Sequence, residues 1–215
     1  MTLLEELKNA IIDVQPKKAE EITPRLLDQG VGAAEILNRA LIPGMDEVGR
    51  LFKEGEYYVP EVLVAAKAMN AVLRLIEPLL IQDNVPRRGK IVVGTVEGDL
   101  HDIGKNLVSM MLKGAGYTVI DLGVDVKAEQ FIEAVQKEKP DYVAISALLT
   151  STMLNIPAVI QSLNTAGLRN RVKVLVGGAP LTRAYAEEIC ADGYAVDAAD
   201  AVRLVRQMDN TVLRV

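Results

Sequence analysis

A chain of 215 residues, half of them apolar and a quarter charged, has enough apolar material for a buried core, which excludes a generally disordered polymer. A net charge of −5, from 24 basic and 29 acidic residues without a Lys/Arg cluster, speaks against nucleic acid or an anionic membrane as partner. No apolar run reaches the roughly 18–20 residues of a membrane span.

From Thr2 to about Asp83 the apolar residues recur at helical spacing. Leu3, Leu4, Leu7, Ile11 and Ile12 form the stripe of a first helix. A second is predicted from Pro16, suited to a first helical turn, to Gly30, a C-terminal stop, with a kink at Pro24. A third spans 33–53 with an irregularity at Pro43-Gly44. A fourth starts near Pro60 and carries Val62, Leu63, Ala66, Met69, Val72, Leu73 and Ile76. Four helices joined by short loops make a small bundle over 1–85. The segment 84–89 (NVPRRG) is polar, basic and turn-prone, as a linker would be.

Beyond it the pattern changes. Segments 90–96 (KIVVGTV), 118–122 (TVIDL), 141–147 (DYVAISA) and 172–176 (VKVLV) are short, β-branched apolar runs. Helical stretches near 103–115, 127–138, 152–166 and 180–191 separate or follow them. A last short strand is expected near 194–196 and a helix from Ala198 to about Met208. The fold class is therefore α/β: a helical bundle followed, over 90–215, by a flavodoxin-like, Rossmann-type doubly wound parallel sheet. The acidic N-terminus lacks the basic region of a secretion signal, and the single Cys190 leaves no disulfide within the chain and no multi-cysteine metal site. A cytoplasmic protein is expected.

In such sheets ligands bind at the carboxyl ends of the strands, near the switch point in strand order. After the first strand stands Glu97-Gly98-Asp99-Leu100-His101-Asp102-Ile103-Gly104, which holds the only histidine. It is neither a GxxxxGK[ST] loop nor a GxGxxG fingerprint, so cradling a phosphate is not its purpose. The third strand runs into Ser146-Ala147-Leu148-Leu149-Thr150-Ser151-Thr152, dense in hydroxyls, and the fourth into Gly177-Gly178-Ala179-Pro180. Taken singly, each has a plain structural reading: a solvated loop histidine, a helix cap, a tight turn. All fall on one edge of one sheet, which those readings do not predict.

Asp99-x-His101-x-x-Gly104, then 41 residues, Ser146-x-Leu148, then 28 residues, Gly177-Gly178 resembles the signature of cobalamin-binding domains in order and in both gaps. The helical half, with 45–52 (MDEVGRLF) and 57–61 (YYVPE), looks like the helical cap of the corrinoid proteins of methyltransferase systems, which are similar to the cobalamin module of methionine synthase. The resemblance covers nearly the whole chain.

The resemblance implies that His101 replaces the cofactor's own base as the lower ligand of cobalt, the base-off/His-on state. Asp99 then accepts the second imidazole N–H, and Thr152, where the family has serine, extends the chain of hydrogen bonds; Asp99, His101 and Thr152 are the catalytic set. Imidazole suits a borderline transition metal, and a carboxylate behind it fixes its tautomer. The resemblance also implies that Gly98, Asp102, Ile103 and Thr150 contact the cofactor. The displaced nucleotide arm would lie among Gly104, Ser146, Leu148, Gly177 and Gly178, with Ala195 beneath the cofactor. Phe52 and Val59, with Tyr58 nearby, would cover the methyl position; the same three residues also read as plain bundle core. The implied function is a methylcobalamin-bearing carrier that cycles between Co(I) and methyl-Co(III). A substrate-specific methyltransferase would load it from a methylated amine, methanol or aryl ether, and a second enzyme would unload it to tetrahydrofolate or a thiol. A reductive activation protein is a third implied partner, and a cap moving about 84–89 would give these partners access. The cobalamin subunit of a mutase, a cobalamin-dependent sensor and a flavodoxin-like domain without cofactor are the alternatives.

Overall fold

The computed structural model describes residues 1–82 and 88–212; most of the expected linker, 84–87, lies outside the described residues. The chain divides into two compact units, one helical and one built on a sheet.

The helical unit holds α1 (Leu3–Ile12), α2 (Pro16–Asp28), α3 (Ala33–Ile36), a π-helical turn (Leu37–Leu41), α4 (Ile42–Lys53) and α5 (Val59–Gln82). Thr2 opens α1 with a capping box, its hydroxyl accepting from Glu5 N while Glu5 accepts from Thr2 N. Leu4, Leu7 and Ile11 of the predicted stripe are buried, together with Ile22, Leu26, Ile36, Leu41, Val48, Val62, Met69 and Ile76. The kink expected at Pro24 does not interrupt α2, which runs on to Asp28. Pro24 and Glu20, whose carbonyl loses its partner at that point, lie on the exposed side, where water serves instead. The irregularity expected at Pro43-Gly44 is present one turn earlier. Pro43 has no N–H for the carbonyl four residues back, and the helix widens so that Ile42 N bonds to Leu37 O. Gly44 is the point of closest approach: a Cβ there would lie 3.1 Å from Ile11 Cβ.

The second unit carries β1 (Lys90–Thr95), α6 (Ile103–Gly114), β2 (Thr118–Asp121), α7 (Ala128–Glu138), β3 (Tyr142–Ser146), α8 (Ile156–Thr165), β4 (Lys173–Gly177), α9 (Arg183–Glu188), β5 (Gly193–Ala195) and α10 (Ala198–Val212). All strands are parallel in the order β2-β1-β3-β4-β5, so the chain reverses direction across the sheet between β1 and β3. Alternation sorts the side chains. Val92 and Val96, Val143 and Ile145, and Val174 and Val176 form one core with Phe131, Ile156, Ile160 and Leu163 of α7 and α8. On the other face α10 is fastened by Asp209, which accepts hydrogen bonds from both Tyr117 and Tyr142 hydroxyls at 2.5 Å. Burial and that carboxylate push both phenols well above their ordinary range.

Three helix boundaries differ from expectation for local reasons. The helix placed at 152–166 begins as a 3₁₀ turn (Met153–Asn155), because the Thr152 side chain is engaged elsewhere, and becomes α-helical only at Ile156. The helix placed at 180–191 is confined to Arg183–Glu188, capped by the Thr182 hydroxyl and ended where Cys190 takes a left-handed φ of 60°. The last helix continues past Met208 to Val212. Among the described residues no helix is long and apolar enough to cross a membrane.

Gly178, with φ +137°, lets the chain after β4 pass the β3 terminus: a Cβ there would stand 1.8 Å from Ala147 O. Gly178→Ala is therefore expected to destabilise the apoprotein by about 3 kcal/mol or more, read as a lowered urea midpoint; an unchanged midpoint would contradict the close passage.

Candidate functional site

The loop between β1 and α6 and the loop between β3 and α8 flank the reversal point, and a single carboxylate joins them. Asp99 is fully buried. Its Oδ1 accepts His101 N at 3.0 Å and His101 Nδ1 at 2.7 Å. Its Oδ2 accepts Leu148 N at 2.7 Å and Thr152 Oγ1 at 2.6 Å. Burial alone would raise this acid. The hydrogen bonds from Thr152, Leu148 and His101 outweigh it and hold the carboxyl well below the usual carboxylate range.

With Asp99 ionised, His101 Nδ1 is the donor in their contact, which selects the tautomer of the neutral ring that has its lone pair on Nε2. The His101 side chain is 50% exposed, and among the described residues Nε2 makes no hydrogen bond. An imidazole held by one nitrogen with the other open is a metal ligand in waiting. Thr152 makes the contact for which the resemblance implies a serine, and its methyl lies beside Gly98, where a Cβ would be 3.7 Å from Thr152 Cγ2.

On the α10 face of the sheet the strand register lines up Thr95, Ser146, Gly177 and Ala195 across four neighbouring strands. All four are small. Ser146, Gly177 and Ala195 are only half-buried, whereas Ile145, Ala147 and Val176 beside them are buried. A Cβ on Gly177 would meet Ala195 O at 3.1 Å, and one on Gly104 would meet nothing within 4 Å. Ser146 Oγ has no hydrogen-bond partner among the described residues. Round the same edge, apolar side chains stand in the open: Leu100 (71% exposed), Ile103 (74%) and Val196 (68%), with Leu148 and Leu149. A flat apolar ligand over His101 with an arm along the row of small residues fits this arrangement.

The remaining predicted residues fall in different places. Asp102 is exposed and touches neither Asp99 nor the imidazole; its Oδ2 accepts Asn106 Nδ2 at 3.0 Å. Thr150 is exposed. Phe52 lies in the last turn of α4 and Val59 begins α5 in the helical unit; both are half-buried and Tyr58 is exposed, so none belongs to the fully buried bundle core.

Sequence reasoning missed a surrounding layer. Lys105, buried in the first turn of α6, donates to Asn106 Oδ1 at 2.7 Å and pairs with Asp121 at the end of β2 at 2.5 Å. A lysine at a helix N-terminus opposes the helix dipole unless it is paired, and that was the available signal. Asp125 accepts Gly98 N at 2.7 Å, Asn155 Nδ2 donates to Glu97 O at 2.9 Å, and Thr95 Oγ1 donates to His101 O at 3.0 Å. These contacts depend on loop conformation, which no spacing rule encodes.

Two families, each described as a B12 binding domain, match residues 89–203 and 3–77. A corrinoid protein of Desulfitobacterium hafniense (strain Y51) is 43% identical, covering 97% of this chain and 98% of its own. The trimethylamine corrinoid protein of Methanosarcina barkeri is 41% identical over 95% of both chains. Among solved structures, a cobalamin-binding protein from D. hafniense DCB-2 aligns with a TM-score of 0.79 at 31% identity, covering 95% and 97% of the two chains. A chain of the methanol:cobalamin methyltransferase complex of M. barkeri aligns at 0.85 and 31%, covering 97% and 80%. Fold, site and matches define a B12-binding protein. The chain belongs to the family of corrinoid proteins of methyltransferase systems.

Because folding holds the Asp99 carboxyl below its ordinary range, its contribution to stability is complete above about pH 4 and is lost as pH falls below that. Asp99→Asn should flatten the acid limb of a stability–pH curve there. Thr152→Val removes the donor to the carboxylate and should cost about 1–3 kcal/mol at neutral pH, with Thr152→Ser close to wild type; urea titration across pH measures both.

Proposed function

We propose that this chain is a methyl carrier that binds cobalamin base-off, with His101 as the lower ligand. A substrate-specific methyltransferase loads it from a methylated amine, methanol or aryl ether. A second methyltransferase unloads it to tetrahydrofolate or a thiol acceptor. A reductive activation protein restores it after oxidation, all within the cytoplasm. The observation that carries the reading is the His101 imidazole, 2.7 Å from a fully buried carboxylate through Nδ1 and free of hydrogen bonds at Nε2 among the described residues. Support for the substrate class comes from the trimethylamine relative and the methanol complex.

When bound, cobalamin supplies a cobalt that takes up and gives back a methyl group while alternating between Co(I) and Co(III). The protein's own residues supply the rest. His101 Nε2 offers its lone pair from below. Asp99 Oδ1 accepts the Nδ1 proton, which selects the tautomer and strengthens donation at Nε2. Thr152 and Leu148 N keep the charge of Asp99 in place, so that Asp99 would balance a change in charge at the imidazole through the Nδ1 hydrogen bond. Ser146, Gly177 and Ala195 leave width for the nucleotide arm, with the Ser146 hydroxyl free to bond to it. In the helical unit, Phe52 and Val59 are the apolar side chains for excluding water from the methyl position, and residues 1–85 serve as the cap of a cobalamin domain over 90–215.

His101→Gly tests the reading. We expect methylcobalamin affinity to fall by about tenfold or more, the absorbance spectrum of the bound cofactor to lose its imidazole-ligated form, and methyl transfer with a partner methyltransferase to fail. A variant with unchanged spectrum and transfer would refute the assignment.

A further inference from the structure

The side chain of Asp99 is fixed by four donors, yet the position of the imidazole also depends on the backbone of residues 97–101. On the β2 side that backbone is held by one residue. Asp125 Oδ1 accepts Gly98 N at 2.7 Å, and Asp125 N donates to Asp99 O at 3.0 Å, so both peptide groups bracketing Gly98-Asp99 end on the same neighbour. Gly98 itself has φ +82°, and Asp125 sits in the left-handed region at φ 53°, which aspartate and asparagine tolerate better than most residues. The segment bearing Asp125 is in turn tied to β1: Thr95 N donates to Gly123 O at 3.0 Å and Val126 N to Thr95 O at 2.9 Å. On the opposite flank Asn155 holds Glu97 O.

We propose that Asp125 is a positioning residue for the lower-ligand loop: through Gly98 N and Asp99 O it sets where His101 presents Nε2. The proposal rests on the reading of His101 as cobalt ligand. A residue needed only for folding would behave differently, because Gly98 is exposed and its N–H, once released, is met by water.

Three variants separate the contributions. Asp125→Asn keeps an oxygen acceptor and tolerates the same φ; Asp125→Gly relieves the backbone and removes the acceptor; Asp125→Ala removes the acceptor and adds strain. Each is read by the urea midpoint of the apoprotein, by hydroxocobalamin affinity from absorbance titration, and by electron paramagnetic resonance of the Co(II) form in protein carrying ¹⁵N-histidine. We expect Asp125→Gly to lose about tenfold in affinity, the scale for groups that orient metal ligands. It should also show less of the ¹⁵N doublet from the axial ligand, at a midpoint near that of the wild type, and Asp125→Asn should restore both signals. Unchanged affinity and doublet in Asp125→Gly would overturn the proposal, as would equal losses in the Asn and Gly variants, or a midpoint shift large enough to explain the affinity loss. If His101→Gly also leaves the doublet intact, the ligand assignment beneath the proposal fails instead.

Discussion

The arrangement depends on a carboxylate placed where carboxylates are costly. Asp99 is out of contact with water, and a bare charge there would be expelled as a proton uptake or an unfolding event. Four donors meet two oxygens, and they come from both sides of the sheet's reversal point: the imidazole and amide of His101 on the β1 side, and Leu148 N with the Thr152 hydroxyl on the β3 side. The charge therefore pulls two loops together, and in doing so leaves an imidazole with one nitrogen committed and the other available. The need for a buried anion and the need for an oriented ligand are met by the same bonds.

The sheet makes this possible because each face has a different task. Toward α7 and α8 the strands present Val and Ile in a tight core with Phe131 of α7, whose ring needs Gly94 beside it. Toward α10 the carboxyl ends carry Ser146, Gly177 and Ala195, which are small and only half-buried. Stability is concentrated on one side and at the amino end, where Tyr117 and Tyr142 close on Asp209. The other side and the carboxyl end are left with unfilled width and exposed leucines. A ligand-binding edge is where such departures from good packing are expected.

Much of this was legible in the residues. A change from helical periodicity to short β-branched apolar runs divided the chain into a helical part and an α/β part, and the strand-end residues Asp99, His101, Ser146 and Gly177 marked the edge that matters. Thr152 could be placed in the chain of bonds only through the resemblance to cobalamin-binding domains, which have a serine at that position. The rest escaped for physical reasons. Pro24 was expected to bend a helix, but an exposed carbonyl tolerates losing its partner. The start of α8 shifted because Thr152 spends its hydroxyl on Asp99 rather than on a helix end. Asp125 and Asn155 act through loop backbone, and loop conformation has no periodicity to read. Lys105 was visible as a cation at the wrong end of a helix, a signal that required asking which anion it met.

The widened turn at Leu37–Leu41 governs how the helical unit accepts change. Ala40, Leu41 and Ile42 are buried in succession, a run that a regular helix, advancing about 100° per residue, would spread around most of its girth. The extra residue in the turn narrows that spread and keeps one continuous inward side from Ile36 to Met45. Deleting a single residue there would rotate everything downstream, swinging Gly44 away from Ile11 and re-aiming Phe52 at the helix end. Replacing Pro43 would restore a missing amide but not the angular phase. In this stretch the count of residues matters more than their identity, so tolerance to substitution should far exceed tolerance to a one-residue gap.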